Sequence, residues 1–141
     1  MIVLDANILL YAYGAPSREH EKARALVQAL FSGTELVGLP WQTVAAFLRI
    51  STNTRLTGYR PIAEAAHEVD IWLKQPSVRM LTPGDDYWAL LRRMVMEGQA
   101  GGVLVSDAEI AALTIEYGGV LYTADRDFAR FPGLRWVNPL E

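Results

Sequence analysis

The sequence predicts an α/β fold: a mostly parallel sheet of about five strands with helices covering both faces. Three observations predict it. Short apolar runs alternate along the chain with longer stretches of helical periodicity. The junctions carry turn chemistry, with prolines at helix starts and glycines at helix ends. The 141 residues suit a single domain spanning 1–141. A chain of this length buries roughly 68–70% of its unfolded surface, enough for a sheet packed on two sides. No internal repeat or low-complexity segment interrupts the order, and the crossovers are expected to be right-handed.

The first strand is expected at residues 2–4, followed by a brief helix over 7–13 whose few charges mark it as buried. Ser17 reads as an N-cap, and 18–31 carries Ala23, Leu26, Val27 and Leu30 at helical spacing, stopped by Ser32 and Gly33. Residues 35–39 form the second strand, and Pro40 fits the first turn of a helix reaching about 52. A polar loop over 53–60 leads to Pro61 and a helix to about 74. The third strand is 78–81. A turn at Pro83, Gly84 and Asp85 opens a helix ending near 97. Gly98, Gly101 and Gly102 mark a flexible loop, 107–117 is a helix with an alanine-rich face, and Gly118 and Gly119 close it. The fourth strand is 120–123, a short helix covers 125–131, and 134–137 is the last strand.

Composition narrows the chemistry. The chain has no cysteine, which removes disulfides, thiolate metal sites and cysteine nucleophiles and suits a reducing cytoplasm. No apolar run approaches the roughly 18 residues of a membrane span, and Met1 leads straight into a strand pattern, leaving no room for a signal peptide. The net charge of −3 does not mark a general nucleic-acid binder, so a nucleic-acid substrate requires a local basic rim or a bound cation. There is no GxSxG, Walker A or HExxH pattern. His20 and His67 read as surface residues. Trp41, Trp72, Trp88 and Trp136 with six tyrosines read as core residues singly, with some available for an interface.

Three acids carry the functional signal. Asp5 ends the first strand run, Asp107 opens the helical stretch after Ser106, and Asp125 ends the fourth strand run, with Asp127 two residues on. Parallel sheets gather their strand C-termini at one edge, where ligands bind. Carboxylates converging there repel one another and stay ionised with a cation such as Mg²⁺ or Mn²⁺. Each aspartate has a plainer reading as a helix cap or dipole partner. Three at one edge favour metal-assisted chemistry on a phosphate.

These residues and their surroundings resemble the PIN domain, in particular the VapC-type toxins of bacterial toxin–antitoxin pairs. The matching pieces are MIVLDANILLY at 1–11, LPW at 39–41 with FLRISTN at 47–53, VSDA at 105–108, YTADRDFARF at 122–131 and GLRWVNPL at 133–140. The resemblance implies a three-layer α/β/α sandwich and an Mg²⁺- or Mn²⁺-dependent endoribonuclease. It implies metal-binding, catalytic roles for Asp5, Asp107 and Asp125, with Asp127 assisting at the metal, and supporting roles for Asn7 and Thr123. It further implies a homodimer, inhibited by a VapB-like antitoxin whose C-terminal segment covers the active-site groove, acting in the cytoplasm on RNA.

One departure stands out. Such proteins usually carry a glutamate in the third helix, at or just before the position preceding Phe47, where this chain reads Val44, Ala45 and Ala46. Gln42 and Thr43, one turn earlier on a similar face, read either as holders of a metal-bound water or as ordinary first-turn residues. Glu109 is expected to face away, since a residue two further along a helix points about 200° from Asp107. Arg49, Arg55 and Arg126 are candidate phosphate contacts, with Arg60 and Arg130 nearby in sequence; all read equally well as surface charges. Two other readings stay open: a catalytically weak RNA- or antitoxin-binding module, and an α/β hydrolase with an aspartyl nucleophile.

Overall fold

The computed structural model describes residues 1–141. Its sheet has five parallel strands, β1 (Ile2–Leu4), β2 (Val37–Pro40), β3 (Val78–Leu81), β4 (Val120–Tyr122) and β5 (Trp136–Val137), in the order β3-β2-β1-β4-β5. The helices are α1 (Ala6–Tyr13), α2 (His20–Ser32), α3 (Trp41–Ser51), α4 (Ile62–Leu73), α5 (Tyr87–Glu97) and α6 (Val105–Glu116). The chain builds outward from β1 to β3, then returns across the sheet to set β4 on the other side of β1. Ile2 pairs with Val37 on one flank and Val120 on the other. That reversal leaves a crevice beyond the C-termini of β1 and β4, where open α/β sheets bind ligands.

Strand alternation divides the interior into two layers. Ile2 and Leu4 join α1 to α4 in one core, while Val3 points through the sheet into the core beneath α5 and α6. The first core centres on Trp72, fully buried, whose ring lies 4.6 Å from that of Phe47 and 5.3 Å from that of Tyr13. The second rests on α6, where Ala108, Ala111 and Ala112 let the helix lie close to Val3 and Leu121. On the same face Gly38 leaves room for Leu81, since a Cβ there would stand 2.9 Å from one of its methyl groups. No helix is long and apolar enough to cross a membrane.

The expected architecture is the one observed, but several boundaries differ for physical reasons. Ser17 is not an N-cap. Its carbonyl accepts from His20 N–H in a turn that precedes α2, which starts two residues later than expected. Pro40 and Pro61 stand just before α3 and α4, with ψ held at 145°, rather than inside their first turns. The 98–102 segment is not an open loop: Ala100 is buried and donates to the Val95 carbonyl. Asp107 does not follow a strand. Gly102 adopts φ +60°, 102–104 forms a 3-10 turn, and Val103 is 92% exposed, none of which a buried strand permits. His20 is no bystander, since its Nδ1 lies 2.8 Å from the Tyr11 carbonyl and ties α2 to α1.

Trp72 fills the junction of α1, α3 and α4, so Trp72→Ala is expected to cost about 3–5 kcal/mol. Urea denaturation followed by circular dichroism measures this. A midpoint equal to that of the parent protein would show that the aromatic cluster is not the anchor of this layer.

Candidate active site

The site begins at the end of β1. The chain turns from strand into α1 at Asp5, whose extended backbone caps the helix and whose Oδ1 accepts from Ala6 N–H at 2.7 Å. Its Oδ2 accepts from Thr123 Oγ1 at 2.7 Å and from Asn7 Nδ2 at 3.0 Å. Thr123 lies just past β4, so this one oxygen joins the ends of the two strands that flank the crevice. Asn7 completes the link: its Oδ1 accepts from Ala124 N–H, and Thr123 Oγ1 accepts from Asp125 N–H. Asp125 then caps the 3-10 turn Arg126–Arg130 by accepting from Asp127 N–H at 2.9 Å. Asn7 and Thr123 therefore orient the Asp5 carboxylate and hold the backbone at Ala124 and Asp125.

A cleft of about 690 Å³ opens over these groups, lined by Asp5, Asn7, Asp107, Asp125, Gln42 and Glu109 among others. Asp107 reaches it from the first turn of α6. Asp127 does not line it, yet its charge is felt at Asp107. Across the cleft, α3 presents Ala45, Ala46, Arg49 and Ile50, so the wall where a third-helix acid was sought is methyl surface beside one guanidinium. Thr43 Oγ1 donates to the Leu4 carbonyl at 2.8 Å, pinning the start of α3 to the end of β1. Of the candidate phosphate contacts only Arg49 lies on the cleft. Arg55 is exposed in the loop after α3, and Arg126 pairs with Glu141 at 2.9 Å beside a different depression. Arg60 bonds the Tyr13 carbonyl and Glu68, and Arg130 bonds the Gly98 carbonyl.

Glu109 is the residue that periodicity misplaced. At 100° per residue, Ser106 and Ile110 form the centre of the α6 stripe facing the cleft, and Asp107 and Glu109 lie on its two flanks. Their directions do diverge, but a wide cleft at the helix end receives both. Gln42 Nε2 donates to Glu109 Oε2 at 2.6 Å, joining α3 to α6. No pattern in the sequence announces this pair, because it depends on how the two helices meet.

Two acids of the cleft carry raised carboxyls. Burial pushes the Asp5 carboxyl up, its hydrogen bonds oppose that, and the Asp125 charge adds to it. Burial likewise raises Asp107, from the ordinary 3.8 to about 6, helped by the charges of Asp5, Asp125 and Asp127. The donors are hard oxygens, the class that Mg²⁺ and Mn²⁺ prefer. Gln42 Oε1 is shielded from solvent without a donor. Flipping the amide would set that oxygen against the Glu109 carboxylate, so the orientation with Nε2 toward Glu109 is the favourable one. No three acidic side chains close into a ready ligand set as they stand.

Comparison with known proteins is consistent along the whole chain. The family model of the PIN domain matches residues 2–134. Ribonuclease VapC43 of Mycobacterium tuberculosis is 37% identical over 142 residues, spanning 100% of this chain and 97% of that protein. Ribonuclease VapC33 of the same species is 36% identical over 141 residues, with 99% of each covered. Among solved structures, VapBC2 from Rickettsia felis bound to a DNA fragment from their promoter matches with a TM-score of 0.71 at 17% identity, covering 97% of this chain and 98% of that one. VapC20 of Mycobacterium tuberculosis, a sarcin-ricin-loop-cleaving toxin, matches with a TM-score of 0.66 at 22% identity, covering 96% and 99%. At these identities the structural likeness speaks to the fold.

The raised Asp107 has a measurable consequence. Its folded value lies above its unfolded one, so its contribution to stability is complete below about pH 4 and is lost as pH rises through about 6. The displacement corresponds to at most about 3 kcal/mol, and solvent screening of a half-buried carboxyl reduces it to about 1–2 kcal/mol. In EDTA, Asp107→Asn is therefore expected to be about 1–2 kcal/mol more stable than the parent at pH 8 and equal to it at pH 3. Urea midpoints at the two pH values decide this. Equal stability at pH 8 would mean the acids do not strain one another.

Proposed function

This chain belongs to the PIN-domain family, and we propose that it is a metal-dependent endoribonuclease, the toxin of a VapBC-type pair. The observation that carries the reading is the placing of Asp5, Asp107 and Asp125 on one cleft at the β1/β4 crevice, mutually repelling and oxygen-rich. The curated relatives named ribonucleases match this chain end to end, which supports RNA as the substrate.

Asp5, Asp107 and Asp125 would hold the Mg²⁺ or Mn²⁺, with Asp127 adding negative potential behind them. When bound, the ion lowers the pKa of its water, shields the phosphate charge and orients in-line attack. The protein's own part is positioning. Thr123 and Asn7 fix the Asp5 carboxylate through Oδ2, leaving Oδ1 bonded only to the Ala6 amide, while Asp107, without a hydrogen-bond partner of its own, is available to accept from water. Arg49, the cation on the cleft wall, is placed to receive a flanking phosphate of the RNA.

A VapB-like antitoxin is proposed as the partner in the cytoplasm, since structural neighbours include VapBC complexes. The cleft floor of Leu10, Ala45, Ala46 and Ile50 is apolar enough to seat a peptide segment across the acids. A homodimer is also proposed; the exposed indoles of Trp41 and Trp88 suit such contacts. The alanines of α3 favour a second reading, a module that binds RNA or antitoxin without efficient cleavage.

Cleavage of a defined single-stranded RNA in Mg²⁺, in Mn²⁺ and in EDTA tests the first reading. Asp5→Asn is expected to lower the rate at least roughly 100-fold, since even outer partners of a metal site cost 10–100-fold. Mn²⁺ binding without metal-dependent cleavage would select the second reading. Arg49→Ala is expected to weaken RNA binding at every sequence and to lower the salt slope by about 0.7, the value for one phosphate contact on a single strand. An unchanged slope would remove Arg49 from the interface.

A further inference from the structure

The third-helix acid is missing from this cleft, yet the cleft holds a fourth lining carboxylate, and it comes from α6. Glu109 stands on the flank of α6 opposite Asp107. Its Oε2 is gripped by Gln42 Nε2 at 2.6 Å, shorter than an ordinary amide hydrogen bond and in the charge-assisted range. No protein donor satisfies its Oε1, which is therefore available to a cation or its waters. Gln42 occupies the second residue of α3, one turn before Ala46, so its amide brings Glu109 toward the wall from which the acid is absent.

Three features distinguish this pair from an incidental surface contact. The bond joins two elements 67 residues apart in sequence rather than neighbours on one helix. Gln42 Oε1 is shielded and lacks a donor, so the glutamine is held by Glu109 at the cost of its own oxygen. Ala45 and Ala46 leave open space in front of the pair instead of filling it with side chain.

We propose that Glu109, positioned by Gln42, is a ligand-side carboxylate for the divalent ion and makes good the acid that α3 lacks. The inference rests on the metal-dependent reading above. Asp5 and Asp125 would hold the ion from the strand ends and Asp107 from one flank of α6, with Glu109 adding a carboxylate from the other flank. Gln42 acts through Glu109 as a positioning residue.

Calorimetric titration of the full chain with Mn²⁺ tests this directly, without reference to activity. Glu109→Gln keeps the size and the hydrogen-bonding capacity of the side chain and removes its charge. It is expected to weaken Mn²⁺ binding roughly 10–100-fold while leaving the urea midpoint in EDTA within experimental error. Gln42→Ala is expected to weaken binding less, and the double variant is expected to bind no worse than Glu109→Gln alone, since both changes act on one ligand. Unchanged Mn²⁺ affinity in Glu109→Gln, with binding lost in Asp5→Asn, would overturn the role of Glu109 and leave the metal site standing. Additive losses in the double variant would overturn the positioning role of Gln42. No Mn²⁺ binding by the parent protein would overturn both the inference and the metal-dependent reading beneath it.

Discussion

A buried carboxylate at the end of the central strand governs this molecule. Asp5 is only 8% exposed, and an ionised group in that position is tolerated only when its oxygens are satisfied. Thr123, Asn7 and the Ala6 amide do this, and in doing so they determine where the end of β4 must lie relative to the end of β1. The need to solvate one charge thus sets the geometry of the crevice. The same three bonds hold the acid pointing outward, so what secures the fold also prepares the site.

The second determinant is the closeness of α6. A helix carrying Ala108, Ala111 and Ala112 on its inner side can approach the sheet until its first turn meets the strand ends. Bulkier residues there would lift the helix and draw Asp107 away from Asp5. The packing of a small-residue face and the electrostatics of the cleft are therefore one problem. The raised Asp107 carboxyl is a product of that approach, because the helix brings its charge into a half-desolvated space already occupied by two others. The divalent cation proposed for this cleft would resolve the conflict that close packing creates.

Much of this was legible in the residues. The strands at 2–4 and 78–81 read directly, because short apolar runs bounded by turn residues have little else to become. The acids after β1 and β4 read as well, since strand direction in a parallel sheet dictates where their C-termini gather. Asp107 reads from its place after an apolar run, although that run is a 3-10 turn and not a strand; glycines flanking apolar residues mimic a buried strand until Gly102 shows its positive φ. Helical periodicity failed at Glu109, because it gives direction about one axis and carries nothing about the width of the space ahead. The start of α2 was obscured by the competition between Ser17 as a cap and Ser17 as a turn, which local sequence does not decide.

Strand order also sets a timetable. The first core is assembled almost wholly from residues 2–78, whereas the second needs Leu121, Phe128 and Phe131. Asp5 and its partner Thr123 stand 118 residues apart in the chain. A nascent or prematurely terminated chain can form half a sheet and still lack the residues that complete the crevice.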